Sequence, residues 1–508
     1  MRISTLLTAG ALCALLVAPG VAAAKTLVVG VPDNMTGLDP SNVNDTQSQT
    51  SMRTIYQGLF GFDRNMKVVP LLAEGYTAND AATEFTIKLK SGIKFHDGTD
   101  FDAAAVKFNI ERLANPENKL SRRSLVSMVD KVEVIDPTTV KITTKTPFGA
   151  MIPSLAHPGA MIISPAAVEK YGKDIGRNPV GTGPFKFKRW AADVLEVEKF
   201  DGYWKKGWPK VDGVTFRSVP ENGARFAMVQ AGEVHYALPF PTELVGVAEK
   251  NPNLVVTKEP SIVEWYVAIN NMKKPFDNIK VRQALNYAVD KVAYCKIVYS
   301  GFCSPADSII PSKLAFYKAQ TPYPYDPAKA KALLAEAGFP NGFETEMFAN
   351  NNTTAIRAMQ FLQQQFAAVG IKLTVTPLES GVMAQKIWTV QKPEDATVQL
   401  QYGGWSSSTG DADWGIRPLL YGKSFPPAMY NVAYYANPKV DAAIEGALGT
   451  ADPAKRAAFY EEAQKLAWAD VPWVYLGVIE NVSVQAKGLS GVYMLPDRGF
   501  VVEDAEFK

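Results

Sequence analysis

Two extended segments, 265–271 and 474–485, lie far apart in the chain and bracket a block in which helices and strands alternate. A chain that leaves one α/β body, builds a second and then returns must cross between them twice, and two crossings make a hinge. The expected architecture is therefore α/β in two lobes. The first takes residues 25–268 and the tail 486–508, and the second takes 269–485. Further β-branched runs occur at 26–31, 84–89, 131–144, 254–258, 372–377 and 397–402. Helix starts are marked by Asp326 with Pro327 and by Asp452 with Pro453, where a carboxylate caps free amides and proline fits the first turn. The first of these helices is expected to stop at Gly338, with Pro340 beyond it.

The N-terminus has the pattern of a secretory leader: Arg2, an apolar run at 6–17, Pro19 and Gly20, then Ala22, Ala23 and Ala24, with cleavage expected after Ala24. The run is shorter than the roughly 20 residues that span a bilayer. Cys13 lacks the preceding residues of a lipid-attachment box, so no lipid anchor is expected. Removing 24 residues from 508 leaves 484, more than one core normally supports. The remaining chain has 52 basic and 51 acidic residues, a balance that argues against a nucleic-acid partner. Cys295 and Cys303 stand eight apart in a chain bound for an oxidising compartment; a disulfide between them is open at this point.

Catalytic signatures are sparse. His96, His157 and His235 show no metal-ligand spacing, and no cofactor is indicated. Gly181-Thr182-Gly183-Pro184-Phe185 lacks the lysine and hydroxyl of a phosphate loop and reads as a tight turn. Asp411 and Asp413 offer an acid/base pair to a secreted hydrolase, but no second catalytic partner accompanies them. The expectation is a protein without enzymatic activity.

Four phrases, in order along the chain, resemble the extracellular solute-binding proteins of peptide and nickel ABC importers, family 5. They are Tyr56-Gln57-Gly58-Leu59 with Leu71-Leu72-Ala73-Glu74; Lys94-Phe95-His96-Asp97-Gly98 with Phe101-Asp102-Ala103; the 181–185 glycine phrase; and Pro275-Phe276-Asp277-Asn278 leading into Val281-Arg282-Gln283-Ala284-Leu285-Asn286-Tyr287-Ala288. The 95–98 phrase reads as a turn and 281–287 as a core-facing helix, both fold markers. Within the family, Leu38-Asp39-Pro40, Asn44-Asp45-Thr46, Ala156-His157-Pro158, Gly404-Trp405-Ser406, Ser408-Thr409-Gly410, Ala412-Asp413-Trp414 and Met494-Leu495-Pro496-Asp497 are most similar to members that bind glutathione. The resemblance implies a large periplasmic binding-protein fold with an extra subdomain inserted in the first lobe at about 60–185, closing on a small peptide, glutathione favoured, and delivering it to membrane permease subunits. It implies a monomer in the periplasm. Alternatives within the family are dipeptides or oligopeptides, haem and nickel chelates.

Glutathione carries two carboxylates and one ammonium, and burying them requires partners for all three. The turn from Ser406 to Trp414 is the first candidate, with Trp405 as an apolar wall. Peptide-binding relatives place an ammonium-binding aspartate three residues after the matching tryptophan, where this chain has Ser408. The role passes to Asp411, then Asp413, while Ser406, Ser408 and Thr409 would donate to a carboxylate. Arg122 follows as a carboxylate fork, with Arg417 as a rival or as the partner of Asp413. Asn350, Asn351, Asn352 and Thr353 stand before a helix whose positive end suits an anion. Asn34, Met35 and Thr36, with 47–49, would reach the ligand from the first lobe.

Overall fold

Apolar periodicity decides which segments pair and which coil. Thr26–Val31 buries Leu27, Val29 and Val31, the period of two that a strand requires. Thr353–Ala367 buries Ala355, Ala358, Met359, Leu362 and Phe366, the three-and-four spacing of a helix. The computed structural model describes residues 25–508, so the leader and its cleavage point lie outside the described residues.

The segments at 254–258 and 265–270 are one strand, Leu254–Ile269. It runs antiparallel to Trp473–Ala486 along its length, from Leu254 opposite Ala486 to Ala268 opposite Trp473. This ribbon is the centre of an eleven-stranded sheet. On one side lie Leu400–Ser406, Glu344–Asn350 and Lys372–Leu378; on the other lie Tyr236–Ala237, Thr26–Val31, Gly213–Ser218, Val194–Lys199 and Phe185–Ala191. The two sides are the cores of two lobes, and the ribbon crosses between them. Its register shifts between Pro260 and Glu264 and again between Trp265 and Tyr266. At the first shift Ser261 Oγ donates to the Ile479 carbonyl at 2.6 Å and accepts from the Val263 amide at 3.0 Å, satisfying groups that the bulge removes from the ladder.

A four-stranded antiparallel sheet, Ala73–Ala78, Glu84–Leu89, Thr139–Thr144 and Val129–Asp136, forms the extra subdomain. The run read at 131–144 is thus the hairpin of its last two strands. The subdomain touches the second lobe: the Gly149 amide donates to Leu448 O at 2.8 Å, and a Cβ on Gly149 would lie 2.4 Å from Thr450 O.

The phrases that mark the fold in the sequence hold it together in space. Asn286, fully buried in the helix Ile279–Tyr287, donates to Trp473 O at 2.8 Å and accepts from Tyr475 N at 3.1 Å, fastening the helix to the crossing strand. Arg282 donates to the carbonyls of Asp470, Val471 and Phe276. His96 pairs through Nε2 with Gly183 O at 3.0 Å and accepts at Nδ1 from Gly181 N at 3.3 Å. The glycine phrase is a close backbone approach as well as a bend, since a Cβ on Gly183 would lie 2.6 Å from Ile55 O. Burial lowers the His96 pKa from 6.5 to about 4 despite its bond to Gly183 O.

Cys295 and Cys303 are bonded to each other. Cys303 opens the short strand Cys303–Pro305, which pairs with Trp473–Ala486, so the disulfide braces one of the crossing strands. Gly477 makes room for it, because a Cβ there would lie 2.6 Å from Cys303 Sγ and 2.8 Å from Ser304 O.

Replacing both cysteines with serine releases a short loop and should lower the unfolding free energy by about 2–3 kcal/mol, read from urea melts of oxidised wild type and the double variant. His96 favours its neutral form in the fold. Its contribution to stability is full above 6.5 and is lost as pH falls towards about 4. His96→Gln should flatten acid destabilisation in that window, and an unchanged pH slope would show that other groups set it.

Candidate functional site

The strands Glu344–Asn350 and Leu400–Ser406 are parallel but pair only through Met347 with Leu400 and Phe348 with Gln401. Beyond that point they part, at the carboxyl ends where open α/β sheets place ligands. Gly403 and Gly404 fill none of the gap. The result is a cavity of about 430 Å³ walled by Trp265, Tyr266, Trp388, Tyr402, Trp405 and Tyr430, with Asn350, Asn352 and Gln401 on its rim. Asn352 caps Thr353–Ala367 by accepting from Ala355 N at 2.9 Å.

Trp405 and Tyr430, 5.2 Å apart between ring centres, also wall a second cavity of about 310 Å³. Its lining joins Ser406, Ser408 and Trp414 to Asn44, Gln49, Thr50, Arg53 and Arg122, and to Asp497 and Gly499 of the C-terminal tail. Thr46 and Thr50 link it to a third cavity of about 330 Å³, lined by Asp33, Asn34, Thr36, Asp45, Gln47 and Arg498 among others. The three cavities adjoin one another through these shared wall residues.

Arg122, Arg53 and Asp497 form the charged wall of the central cavity. Arg122 donates through Nε to Val43 O at 2.9 Å and through Nη2 to Asn44 O at 3.0 Å, two of its five N–H groups. Its stem packs on Gly159, where a Cβ would lie 2.7 Å from Arg122 Cγ. Next to it His157 is buried and accepts at Nδ1 from Gly159 N at 2.9 Å; burial, then the charges of Arg122 and Arg53, hold its pKa well down and keep it neutral. Arg53 follows the helix Thr46–Met52 and forms an ion pair with Asp497, which also accepts from Gly499 N at 2.8 Å. Arg53 Nε is buried without a hydrogen-bond partner. Trp405 is held by its indole N–H, which donates to Trp414 O at 2.7 Å.

Of the residues singled out in the sequence, Trp405, Ser406, Ser408 and Arg122 line the central cavity, and Asn34 and Thr36 line the third. Thr36 Oγ1 is bonded to Asp45, and its amide donates to Ser48 Oγ at 2.8 Å. Asn351 is exposed and turned to Leu378 O by its amide, while its neighbours Asn350 and Asn352 take the cavity rim. Thr409 is buried behind the turn.

Asp411 and Asp413 require a correction. Both are buried, and neither lines these cavities. Asp411 takes both arms of Arg456, at 2.8 and 3.0 Å, and caps Ala412–Leu420; Asp413 takes Arg417 at 2.7 and 2.8 Å. Carboxylates saturated by an arginine fork are structural anions, not partners left open for an ammonium. Arg417 is thereby the partner of Asp413 and not an anion site. Arg53, Asp497, Tyr430 and Trp388 escaped sequence reading. Of these only Asp497 had a signal, as the last residue of the 494–497 phrase. No group of three metal-ligating side chains occurs among the described residues.

Arg456→Ala would leave Asp411 buried without its counter-charge. It should cost about 3–5 kcal/mol of stability, measured by denaturant unfolding; a loss below 1 kcal/mol would show that the pair is dispensable.

Residues 67–426 match the family model of bacterial extracellular solute-binding proteins, family 5. The glutathione-binding protein GsiB of Pectobacterium atrosepticum is 47% identical over 502 residues, covering 98% of each chain. Among solved structures, HbpA2 from Haemophilus parasuis aligns at a TM-score of 0.83 with 25% identity, over 95% of this chain and 100% of that one. The ABC transporter-associated periplasmic binding protein DppA from Helicobacter pylori, in complex with the peptide STSA, aligns at 0.80 with 25% identity, over 94% and 98%. With its two lobes, its crossing ribbon and a family match over most of its length, this chain belongs to the bacterial extracellular solute-binding proteins of family 5.

Proposed function

We propose that the chain is the periplasmic ligand-capturing component of an ABC importer and that its ligand is glutathione. The observation that carries the reading is the charge pattern of the central cavity: Arg122, which has no carboxylate partner among the described residues, and the ion pair of Arg53 with Asp497, joined through one guanidinium nitrogen only, offer two cations and one anion to a ligand with two carboxylates and one ammonium. A relative named for glutathione binding at 47% identity over nearly the whole chain supports that choice, as does a peptide-bound structural neighbour.

In this reading Arg122 offers a planar fork to one carboxylate and Arg53 serves the other. Asp497 receives the ammonium in place of Asp411 or Asp413, and the hydroxyls of Ser406 and Ser408 complete the shell from the other lobe. A ligand held this way bridges both lobes, so its binding energy favours closure. The lobes are residues 25–268 with 486–508, and 269–485, turning about the interrupted part of the crossing ribbon. The ligand is captured and released without bond making; the transporter's ATPase supplies the energy. The mature protein begins after about Ala24 and works as a monomer in the periplasm. Among the described residues no helix is long and apolar enough to cross a membrane.

Calorimetric titration of dialysed residues 25–508 tests the ligand. Glutathione should bind in preference to a tripeptide of unrelated side chains, and equal affinities would overturn the choice. Arg122→Ala should weaken glutathione binding by about 1.5–3 kcal/mol, roughly 10- to 150-fold in Kd, and an unchanged Kd would remove Arg122 from the site.

A further inference from the structure

The aromatic cavity beyond Trp405 and Tyr430 is larger than the charged one and has a different character. Among the described residues no acidic or basic side chain lines it. Six aromatic rings do, with Met383 and Leu419. Trp265 is stacked on Tyr402 at 5.0 Å between ring centres, and Trp388 stands edge-on to Tyr430 at 5.5 Å, so the walls are rings already packed against one another. Gly403 and Gly404 also line it and bring no side chain into it, which leaves the space between the rings open for ligand atoms. A Cβ on Gly403 would lie 2.6 Å from Gln401 Nε2, and one on Gly404 would lie 3.0 Å from the Trp265 ring.

Glutathione alone gives this space little to hold. A carboxylate or ammonium placed there would be desolvated without a counter-charge, which is costly. Once its three charges are met in the central cavity, the group left to face the Trp405 and Tyr430 rings is the thiol, and sulfur makes favourable contacts with aromatic faces and edges. From these constraints we infer that the aromatic cavity is a subsite for an uncharged apolar substituent on the ligand's sulfur, so that S-alkyl and S-aryl thioethers of glutathione are ligands of this protein. The inference rests on the glutathione reading and extends it to a ligand class. A benzyl group would bury its ring among Trp388, Trp405 and Tyr430 in offset or edge-on contact.

The test is a titration series on dialysed residues 25–508 with glutathione, S-benzylglutathione and S-carboxymethylglutathione. S-benzylglutathione should bind about tenfold tighter than glutathione, and the charged carboxymethyl thioether should show no such gain. Trp388→Ala should bring the ratio of S-benzylglutathione to glutathione affinity down towards one, with thermal melting used to verify that the variant is folded. If glutathione binds and the benzyl thioether binds equally or more weakly, the subsite is overturned while the glutathione reading stands. If neither binds, that reading falls and takes the subsite with it. A wild-type gain that survives intact in folded Trp388→Ala places the substituent elsewhere and also overturns the assignment.

Discussion

The molecule depends on one antiparallel ribbon, Leu254–Ile269 against Trp473–Ala486. It joins the two halves of the eleven-stranded sheet, whose further strands pair with it near its opposite ends. A regular ladder resists bending because its hydrogen bonds would have to break together. A ladder with an interruption yields there first. The interruption lies between Pro260 and Glu264, where Ser261 takes over backbone bonds and the Ile262 amide reaches out to Pro496 O at 3.1 Å. Asp497 follows directly, so the C-terminal tail links the irregular part of the ribbon to the wall of the central cavity. Glu264 stands at the same point, and burial, with Asp307 adding to it, pushes its carboxyl well above the ordinary 4.5.

Local structure was legible because its causes are local. Asp326 accepts from Lys329 N at 2.9 Å and Asp452 from Ala454 N at 2.8 Å, each before a proline in the first turn, as their spacing predicts. Two separate strands became one at 254–269 because nothing in the composition of 259–264 reveals that Trp473–Ala486 lies alongside to carry the pairing through. The same limit governs the candidate site. Trp405, Ser406, Ser408 and Arg122 stand on the cavity because a turn after a strand end and an arginine in a loop are where cleft walls are built. Asp411 and Asp413 belong to the same turn, and what removes Asp411 from the cavity is Arg456, 45 residues further on. Only the pairing of Asp413 with Arg417, one helical turn away, was within reach of sequence spacing.

Those two ion pairs explain how the turn can present serines to the central cavity. A cavity wall made of short hydroxyl side chains selects a ligand only if its backbone is held, since a mobile turn would spend binding energy on its own ordering. Arg456 clamps Asp411 from the helix Pro453–Asp470, and Arg417 clamps Asp413 within Ala412–Leu420. The Trp405 indole bonds to Trp414 O across the same turn, and the Gly410 carbonyl accepts from Ala315 N at 3.0 Å. The turn is therefore fixed at both ends and in the middle, with its charges spent internally. What it shows to the cleft is uncharged: two serines and the faces of Trp405 and Trp414. Net charge in the cleft then comes from the opposite wall, where Arg53, Arg122 and Asp497 stand together. Such an asymmetric cleft can orient a zwitterionic ligand, because its charged groups have only one wall to meet and its neutral part must face the other. That asymmetry places the aromatic cavity behind Trp405 on the neutral side of whatever the arginines hold.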